Sequence, residues 1–272
     1  MTEISNKTVF YEREMRFACK NDLQVNTTLD EAKAIIRDAI ATEKPFAVSN
    51  SGDGEAMVLQ SLQGLYSQEN LRSRKKFHSF FTKIWHLDPN PTIAIWEMCG
   101  PIIRGLIKSD MLALYPGIPE SFVYFRPDYP NFKRCSYAQK FVDPNTLDEY
   151  LQGKDVRIFS RYGERLKVRV QSRTDCSVAV TTIPFNTPLK KIPEFYANIQ
   201  DFPEPVVLWG GGGGTKDLGA YLRDKFGKTC IDLGSVIDAW AGELSRKAYF
   251  PGEPQGHLTI KDIQTNTEKV KQ

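Results

Sequence analysis

The chain has 272 residues, of which 41% are hydrophobic and 25% are charged, and its formal net charge is +3. This composition is typical of a folded globular protein and excludes a disordered chain, a collagen and a disulfide scaffold. No stretch approaches the roughly 18 uninterrupted apolar residues of a membrane helix, and the polar start of the chain lacks the apolar region of a signal peptide, so we expect a soluble, cytoplasmic protein with no membrane span. We predict one α/β domain over residues 1–250 and a polar tail over residues 251–272. The oligomeric state does not follow from the sequence.

The first part of the chain predicts a helix, a strand and a second helix. Thr28 and Glu31 have the spacing of a capping box, and apolar residues at helical spacing follow them over residues 29–43. After Pro45, the apolar run Phe46–Val48 fits a buried strand, and helical periodicity returns after Glu55. Residues 51–55 are therefore interpreted as a loop between a strand and a helix, where open α/β sheets bind their ligands.

The middle of the chain is rich in aromatic and basic residues. We predict a basic, aromatic helix over residues 67–86, a helix or a strand–helix pair over residues 92–108, and a strand over residues 111–115. Residues 124–141 have no regular period. A basic face that binds nucleic acid and ordinary solvated helix surfaces both fit this charge pattern.

Strands and helices alternate in the second half of the chain. Strands are predicted at 156–160, 177–180, 206–209 and 230–233, and helices at 192–199 and 218–226. This alternation predicts a mostly parallel, Rossmann-like sheet with helices on both faces. The five cysteines are widely spaced and include no CxxC pair, so we expect reduced, mostly buried thiols rather than a zinc site or disulfides.

The segment Gly52–Glu55 offers two carboxylates separated by one glycine. On an extended turn, residues two apart project to the same side, so Asp53 and Glu55 could converge on Mg²⁺ or Mn²⁺. Gly52 and Gly54 would allow a close approach of the backbone to a ligand. An ordinary surface turn is the alternative interpretation.

Five consecutive glycines, Gly210–Gly214, separate a predicted strand from a predicted helix. A loop that brings backbone N–H groups to a phosphate or sugar explains this run, and a flexible connection is the alternative. The same run, with Asp232 at the end of the next strand, also outlines a dinucleotide- or S-adenosylmethionine-binding unit. That unit usually opens a domain, whereas only 38 residues follow Gly234.

A carboxylate is the expected general base, because the chain has only three histidines. The candidates by strand-end position, besides the Gly52–Glu55 segment, are Asp110, Asp232 and Asp238. The predicted substrate-binding residues come from the two glycine-containing loops: Asn50, Ser51, Gly52, Gly54, Gly210, Gly211, Gly212 and Lys216.

Three segments together resemble the GT-D glycosyltransferases. They are Gly52–Glu55 after a strand, residues 109–114, and residues 206–240 with the closing segment Ile231–Gly234. The resemblance spans about residues 28–240 and implies that Asp53 and Glu55 form the family's DXE motif beside a metal ion and the diphosphate of a nucleotide sugar, most simply a UDP-sugar. The family commonly has an arginine about two residues before this motif, where the present chain has residues 49–51, Ser-Asn-Ser.

The resemblance ranks the possible functions. First is a glycosyltransferase that depends on Mn²⁺ or Mg²⁺ and acts on an acceptor hydroxyl, either of a glycan or lipid-linked sugar or of a hydroxymethylated base in DNA. The DNA acceptor is suggested by the aromatic and basic residues of 124–141, which could stack on bases and follow phosphates. The alternatives are a Rossmann-like methyltransferase or oxidoreductase that uses Gly210–Gly214 and Asp232, and a non-enzymatic nucleic-acid-binding module.

Overall fold

The computed structural model describes residues 23–62, 91–114, 118, 120–124, 126–129, 131–136, 144–183, 189–234, 237 and 241. Within these ranges the side chains of a few residues, Asp53 among them, are not described. The predicted helix over residues 67–86, the candidate base Asp238 and the predicted tail over residues 251–272 lie outside the described residues.

Seven described strands form a single sheet in the order β3-β2-β1-β7-β6-β4-β5. Their bounds are β1 Phe46–Ser51, β2 Met111–Leu114, β3 Lys133–Ser136, β4 Asp155–Ser160, β5 Ser177–Thr181, β6 Val206–Gly210 and β7 Thr229–Asp232. Every neighbouring pair is parallel. This pairing confirms the predicted Rossmann-like α/β class.

The described helices lie before and between the strands. They are α1 Leu29–Thr42, α2 Asp53–Leu62, α3 Pro91–Lys108, α4 Pro144–Leu151, α5 Gly163–Gln171, α6 Ile192–Ala197 and α7 Leu218–Phe226. Short 3₁₀ turns cover Glu120–Phe122, Leu189–Lys191 and Gly213–Thr215. The capping box predicted for α1 is present, with Thr28 and Glu31 bonded reciprocally.

Helices cover both faces of the sheet. Successive side chains of a strand point to opposite faces, and here they enter two separate apolar cores. One core joins Ala47 of β1 and Val207 of β6 to residues of α3 and α7. The other joins Val48 and Leu208, the next residues along the same strands, to residues of α1 and α5.

Several elements differ from the sequence prediction. Strand β1 ends at Ser51 and helix α2 begins at Asp53, so the predicted loop over residues 51–55 ends three residues early. Helix α3 runs through Pro101 without a break, because Ile102 and Leu106, which follow the proline, are almost fully buried and stabilise the helix by packing. Strand β3 lies in the segment predicted to be irregular. Helices α4 and α5 were not predicted.

Two general expectations can be compared with the described residues. Among them, no helix combines the length and apolarity needed to cross a membrane. Cys99, Cys135, Cys176 and Cys230 are buried and free of disulfides, as predicted for those four.

Candidate functional site

The candidate site lies at the carboxyl ends of β1, β7 and β6, which are neighbours in the sheet. Because these strands are parallel, the loops that follow them meet on one side of the sheet, at the carboxyl ends of the strands. The connection after β6 leads to β7 and that after β4 leads to β5, on opposite sides of the β6–β4 pair. Such a reversal opens a crevice at the strand ends, where open α/β sheets bind their ligands.

The Gly52–Glu55 segment forms the start of helix α2. Gly52 accepts the first helical hydrogen bond, from the Ala56 N–H at 3.0 Å, and its own N–H donates to Glu55 Oε2 at 2.8 Å. Glu55 therefore caps the helix as the acidic half of a capping box. The remaining N–H groups of the first turn have no partner within the helix, and they make this end attractive to anions.

This helical start corrects one premise of the metal prediction. Asp53 and Glu55 were expected to project to the same side because they lay on an extended turn. In a helix, residues two apart are separated by about 200° around the axis. The spacing alone therefore does not bring the two carboxylates together. The side chain of Asp53 lies outside the description.

Lys216 joins the start of α2 to the end of β7. Its ammonium lies 3.1 Å from Asp232 Oδ2 and 3.6 Å from Glu55 Oε1, and the residue is 5% exposed. The side chain reaches this position because α3 packs closely against the loop at Lys216. A Cβ at Gly105 would come within 2.6 Å of the Lys216 carbonyl oxygen. The structure therefore brings together three residues that were predicted for the site, Lys216, Glu55 and Asp232.

Asp232 is held by three donors and is 1% exposed. Its Oδ2 accepts from the Asn50 N–H and from Lys216 Nζ, both at 3.1 Å, and its Oδ1 accepts from the Gly234 N–H at 2.8 Å. A carboxylate engaged in this way positions its neighbours rather than deprotonating a substrate. It also does not offer the ribose contact that the dinucleotide-binding alternative requires, which weakens that alternative.

Asn50, the next-to-last residue of β1, has an unsatisfied side chain. The residue is 2% exposed, and its Oδ1 finds no hydrogen-bond partner among the described residues. A buried acceptor without a donor costs about 1–3 kcal/mol. A bound ligand that brings an O–H, an N–H or a cation would remove this cost.

The glycine run is packed against protein atoms. A Cβ at Gly210 would lie 2.4 Å from Ile237 Cγ2, and one at Gly211 would lie 2.3 Å from Thr215 Oγ1. Gly212 has a φ of 74°, a conformation that other residues rarely adopt. These contacts account for glycine at the three positions without a ligand, so bulky substitutions there would not test ligand binding.

Asp110 lies at the opposite ends of the strands from the candidate site. It precedes β2, and its Oδ2 accepts from the Ala47 N–H at 2.8 Å and from Arg223 Nη1 at 2.6 Å. Ala47 is the second residue of β1, so this carboxylate lies at the amino ends of the strands. The expected position of Asp110 at a ligand-binding strand end was wrong, because the sequence analysis did not distinguish the two ends of a strand, and its catalytic role stays a prediction.

Three of the described aromatic and basic residues of the segment 124–141 are buried, whereas Tyr124 and Lys133 are exposed. Arg126 and Arg134 are 8% and 6% exposed, and Phe132, between them in the chain, is 4% exposed. Arg126 Nη1 donates to the carbonyl oxygens of Leu106 and Ser109, and both guanidinium groups stack on Phe132. The two arginines therefore stabilise the fold and do not form the predicted nucleic-acid surface.

A divalent cation is compatible with the described part of the site. Glu55 Oε1 is a hard oxygen whose described neighbour, the Lys216 ammonium, lies beyond hydrogen-bonding distance at 3.6 Å. The buried amide oxygen of Asn50 is a second hard donor. Both suit Mg²⁺ or Mn²⁺. Among the residues that the structure describes, no group of three or more His, Cys, Asp or Glu side chains could hold a metal by itself.

Comparisons with known proteins find similar structures but no similar sequences. Neither a family model nor a curated protein matches the chain. A selenomethionine-substituted structure of domain of unknown function 1792 is 15% identical, with a TM-score of 0.45. A second structure of that domain, described as having a distinct glycosyltransferase fold, is 16% identical, with a TM-score of 0.47. Each match covers 85% of this chain and 83% of the other.

Proposed function

We propose that the protein is a glycosyltransferase that binds a nucleotide-sugar donor at the carboxyl ends of β1, β7 and β6. The observation that carries this proposal is the buried amide oxygen of Asn50, which has no hydrogen-bond partner among the described residues and lies beside a helix N-terminus. The amide oxygen requires a donor, whereas the helix end attracts an anion. A nucleotide sugar has both chemistries in one molecule, since it carries hydroxyl groups and a diphosphate.

The charges around the site support an anionic ligand that arrives with a cation. Glu55 and Asp232 contribute two negative charges, and Lys216 contributes one positive charge between them. The lysine is held by both carboxylates and is therefore preorganised near the start of α2. A diphosphate at this position would meet the ammonium and the backbone N–H groups of the helix.

The proposal includes Mn²⁺ or Mg²⁺, held by Glu55 and Asp53, as the resemblance of the Gly52–Glu55 segment implies. Such a cation neutralises the charge that develops on the diphosphate leaving group. Glu55 would contribute Oε1 while Oε2 keeps the cap of α2. Asp232 would hold Lys216 and the end of β1 in position, and Asn50 would orient the donor through its amide oxygen.

A thermal-shift screen tests the proposed ligand class. UDP-sugars, NAD⁺ and S-adenosylmethionine are each added with and without Mn²⁺, because a ligand that binds only the folded state raises the melting temperature. We expect stabilisation by one or more UDP-sugars, larger with Mn²⁺ than without it. Stabilisation by NAD⁺ or S-adenosylmethionine alone would support the Rossmann-like alternative and reject the proposal.

Glu55→Gln is the sharpest variant for this screen. An amide oxygen can still accept from the Gly52 N–H, so the cap of α2 is kept, but the charge is removed. We expect the Mn²⁺-dependent part of the shift to disappear. Asp110→Asn, at the amino ends of the strands, is the matched control and should keep the full shift. Equal Mn²⁺-dependent shifts of the melting temperature in wild type and in Glu55→Gln would show that Glu55 does not bind the metal.

A further inference from the structure

A cleft of about 420 Å³ lies on one flank of the sheet, between edge strand β5 and the segment 195–203. Its lining includes Arg157 of β4, Thr181 of β5, Asn198 and Gln200. These two amides are exposed, so the cleft is accessible from solvent. Its volume is in the range of small-molecule sites.

The described charges that line or border the cleft are neutralised by protein partners. Arg157 Nε donates to Glu204 Oε2 at 2.9 Å, and Lys228 Nζ lies 3.1 Å from Asp201 Oδ1. A second donor of Arg157, Nη1, is bonded to Thr181 Oγ1 at 3.1 Å. A cleft with paired charges has little attraction for a polyanion, so nucleic acid and nucleotides are poor candidates.

Contacts within the protein hold part of the cleft lining in place before any ligand binds. The ring of Phe202 lies 4.5 Å from the Arg157 guanidinium and 4.5 Å from Lys228 Nζ. It also packs against Phe159 on the strand side, with ring centroids 5.9 Å apart. Preorganised groups of this kind lose little entropy on binding.

The lining combines flat apolar rings with uncharged amides. Phe195 is half-buried and presents aromatic surface, Phe202 lies beneath its protein neighbours and is 8% exposed, and Asn198 and Gln200 each present a donor and an acceptor in one plane. A sugar has the complementary chemistry, since its ring carries an apolar C–H face and its edge carries adjacent hydroxyl groups. A neutral ligand with many hydroxyl groups therefore fits the cleft better than an anion or an oily molecule.

The cleft is connected to the candidate site along the end of β5. Thr181 is the last residue of that strand, and two residues later Ile183 lies against the glycine loop, where its Cδ1 would be 2.9 Å from a Cβ at Gly211. Arg157 is three residues before the end of β4, which is roughly 10 Å at the rise of a strand. A chain of several sugars could reach from the cleft to the crevice.

We propose that this cleft binds a neutral oligosaccharide, and that this oligosaccharide is the acceptor whose end is glycosylated at the carboxyl ends of the strands. The carbohydrate site is inferred from the cleft residues alone, whereas the acceptor role rests on the proposed function. In the transfer, the acceptor hydroxyl oxygen forms a bond to the anomeric carbon of the donor. The bond from that carbon to the diphosphate breaks, and the hydroxyl proton leaves to a base.

The test compares the wild type with the double variant Asn198→Ala/Gln200→Ala on an array of neutral glycans. Both residues are exposed, so the variant should fold normally. We expect the wild type to retain at least one neutral glycan and the double variant to bind it at least tenfold more weakly. Gln171→Ala is the matched control, because Gln171 is an exposed amide on α5, at the other face of the sheet.

One further readout separates this inference from the proposed function. UDP-sugar binding, measured by thermal shift, should be the same in the wild type and in the double variant. Loss of glycan binding in the variant, in a protein that binds no UDP-sugar, supports the carbohydrate site and rejects the transferase. The carbohydrate site is overturned if the array retains no neutral glycan, if binding is equal in wild type and double variant, or if only DNA oligonucleotides or heparin bind.

Discussion

Replacing Asn50 by leucine should stabilise the protein and weaken its binding of the donor. Leucine has nearly the shape of asparagine and removes the buried oxygen that has no partner among the described residues. That oxygen costs about 1–3 kcal/mol. Allowing for imperfect packing of the new methyl groups, we expect a gain of about 1 kcal/mol in the free energy of unfolding. A domain of this size should then melt about 2–4 °C higher.

The same substitution should weaken UDP-sugar binding by about tenfold, because the ligand loses one hydrogen bond. Urea unfolding gives the stability, and calorimetric titration gives the affinity. Asn26→Leu is the matched control. The Asn26 amide is satisfied, since it donates to the Phe132 carbonyl oxygen and accepts from the Arg134 N–H, so this variant should lose stability and keep its affinity. If Asn50→Leu is less stable than wild type and binds the donor equally well, Asn50 has a structural role and our reasoning fails.

Three further predictions follow from the contacts of single residues. Lys216→Met should lose about 3–5 kcal/mol of stability, because it leaves two buried carboxylates without their cation, and adding Asp232→Asn should recover part of this loss in urea unfolding. Asp110→Asn should lower the free energy of unfolding by less than about 1 kcal/mol and leave turnover unchanged. A lower kcat in this variant would show that Asp110 contributes to catalysis. Burial raises the pKa of the Cys99 and Cys230 thiols far above their ordinary 9.0. Iodoacetamide at pH 8 should therefore label them only after unfolding, and stability should fall as the pH rises above about 9, where only the unfolded thiols ionise. Labelling of the folded protein would contradict their burial.

The parallel sheet could be predicted because its central strands are short apolar runs followed by glycine-containing loops. Val206–Gly210 and Phe46–Ser51 are such runs, and both lie where the pattern indicated. Strand β3 could not be predicted, since Lys133–Ser136 is polar by composition and becomes a strand only through its pairing with β2. Tertiary contacts decided its conformation.

The candidate site was predicted in part. Lys216 and Asp232 could be assigned to the carboxyl ends of the parallel strands from the order of the elements. The sequence did not indicate that Asp232 is engaged, because its bonds to Asn50 and Lys216 join distant segments. The start of α2 at Asp53 was missed for a local reason, since Gly52–Glu55 was interpreted as a loop and not as a helix start capped by Glu55. The cleft residues Arg157, Asn198 and Gln200 belong to no motif. The proximity of Arg157 to the segment 195–203 arises only when the chain folds.

The position of the diphosphate is the most direct test of the central claim. Crystals grown with UDP and Mn²⁺ would locate the cation by its anomalous scattering and the diphosphate by its electron density. We predict Mn²⁺ at about 2.0–2.2 Å from a Glu55 carboxylate oxygen, as for hard-oxygen ligation of a small divalent cation, with the diphosphate at the start of α2 near Lys216. Ordered UDP at the amino ends of the strands near Asp110, or in the cleft beside Arg157, would contradict the account.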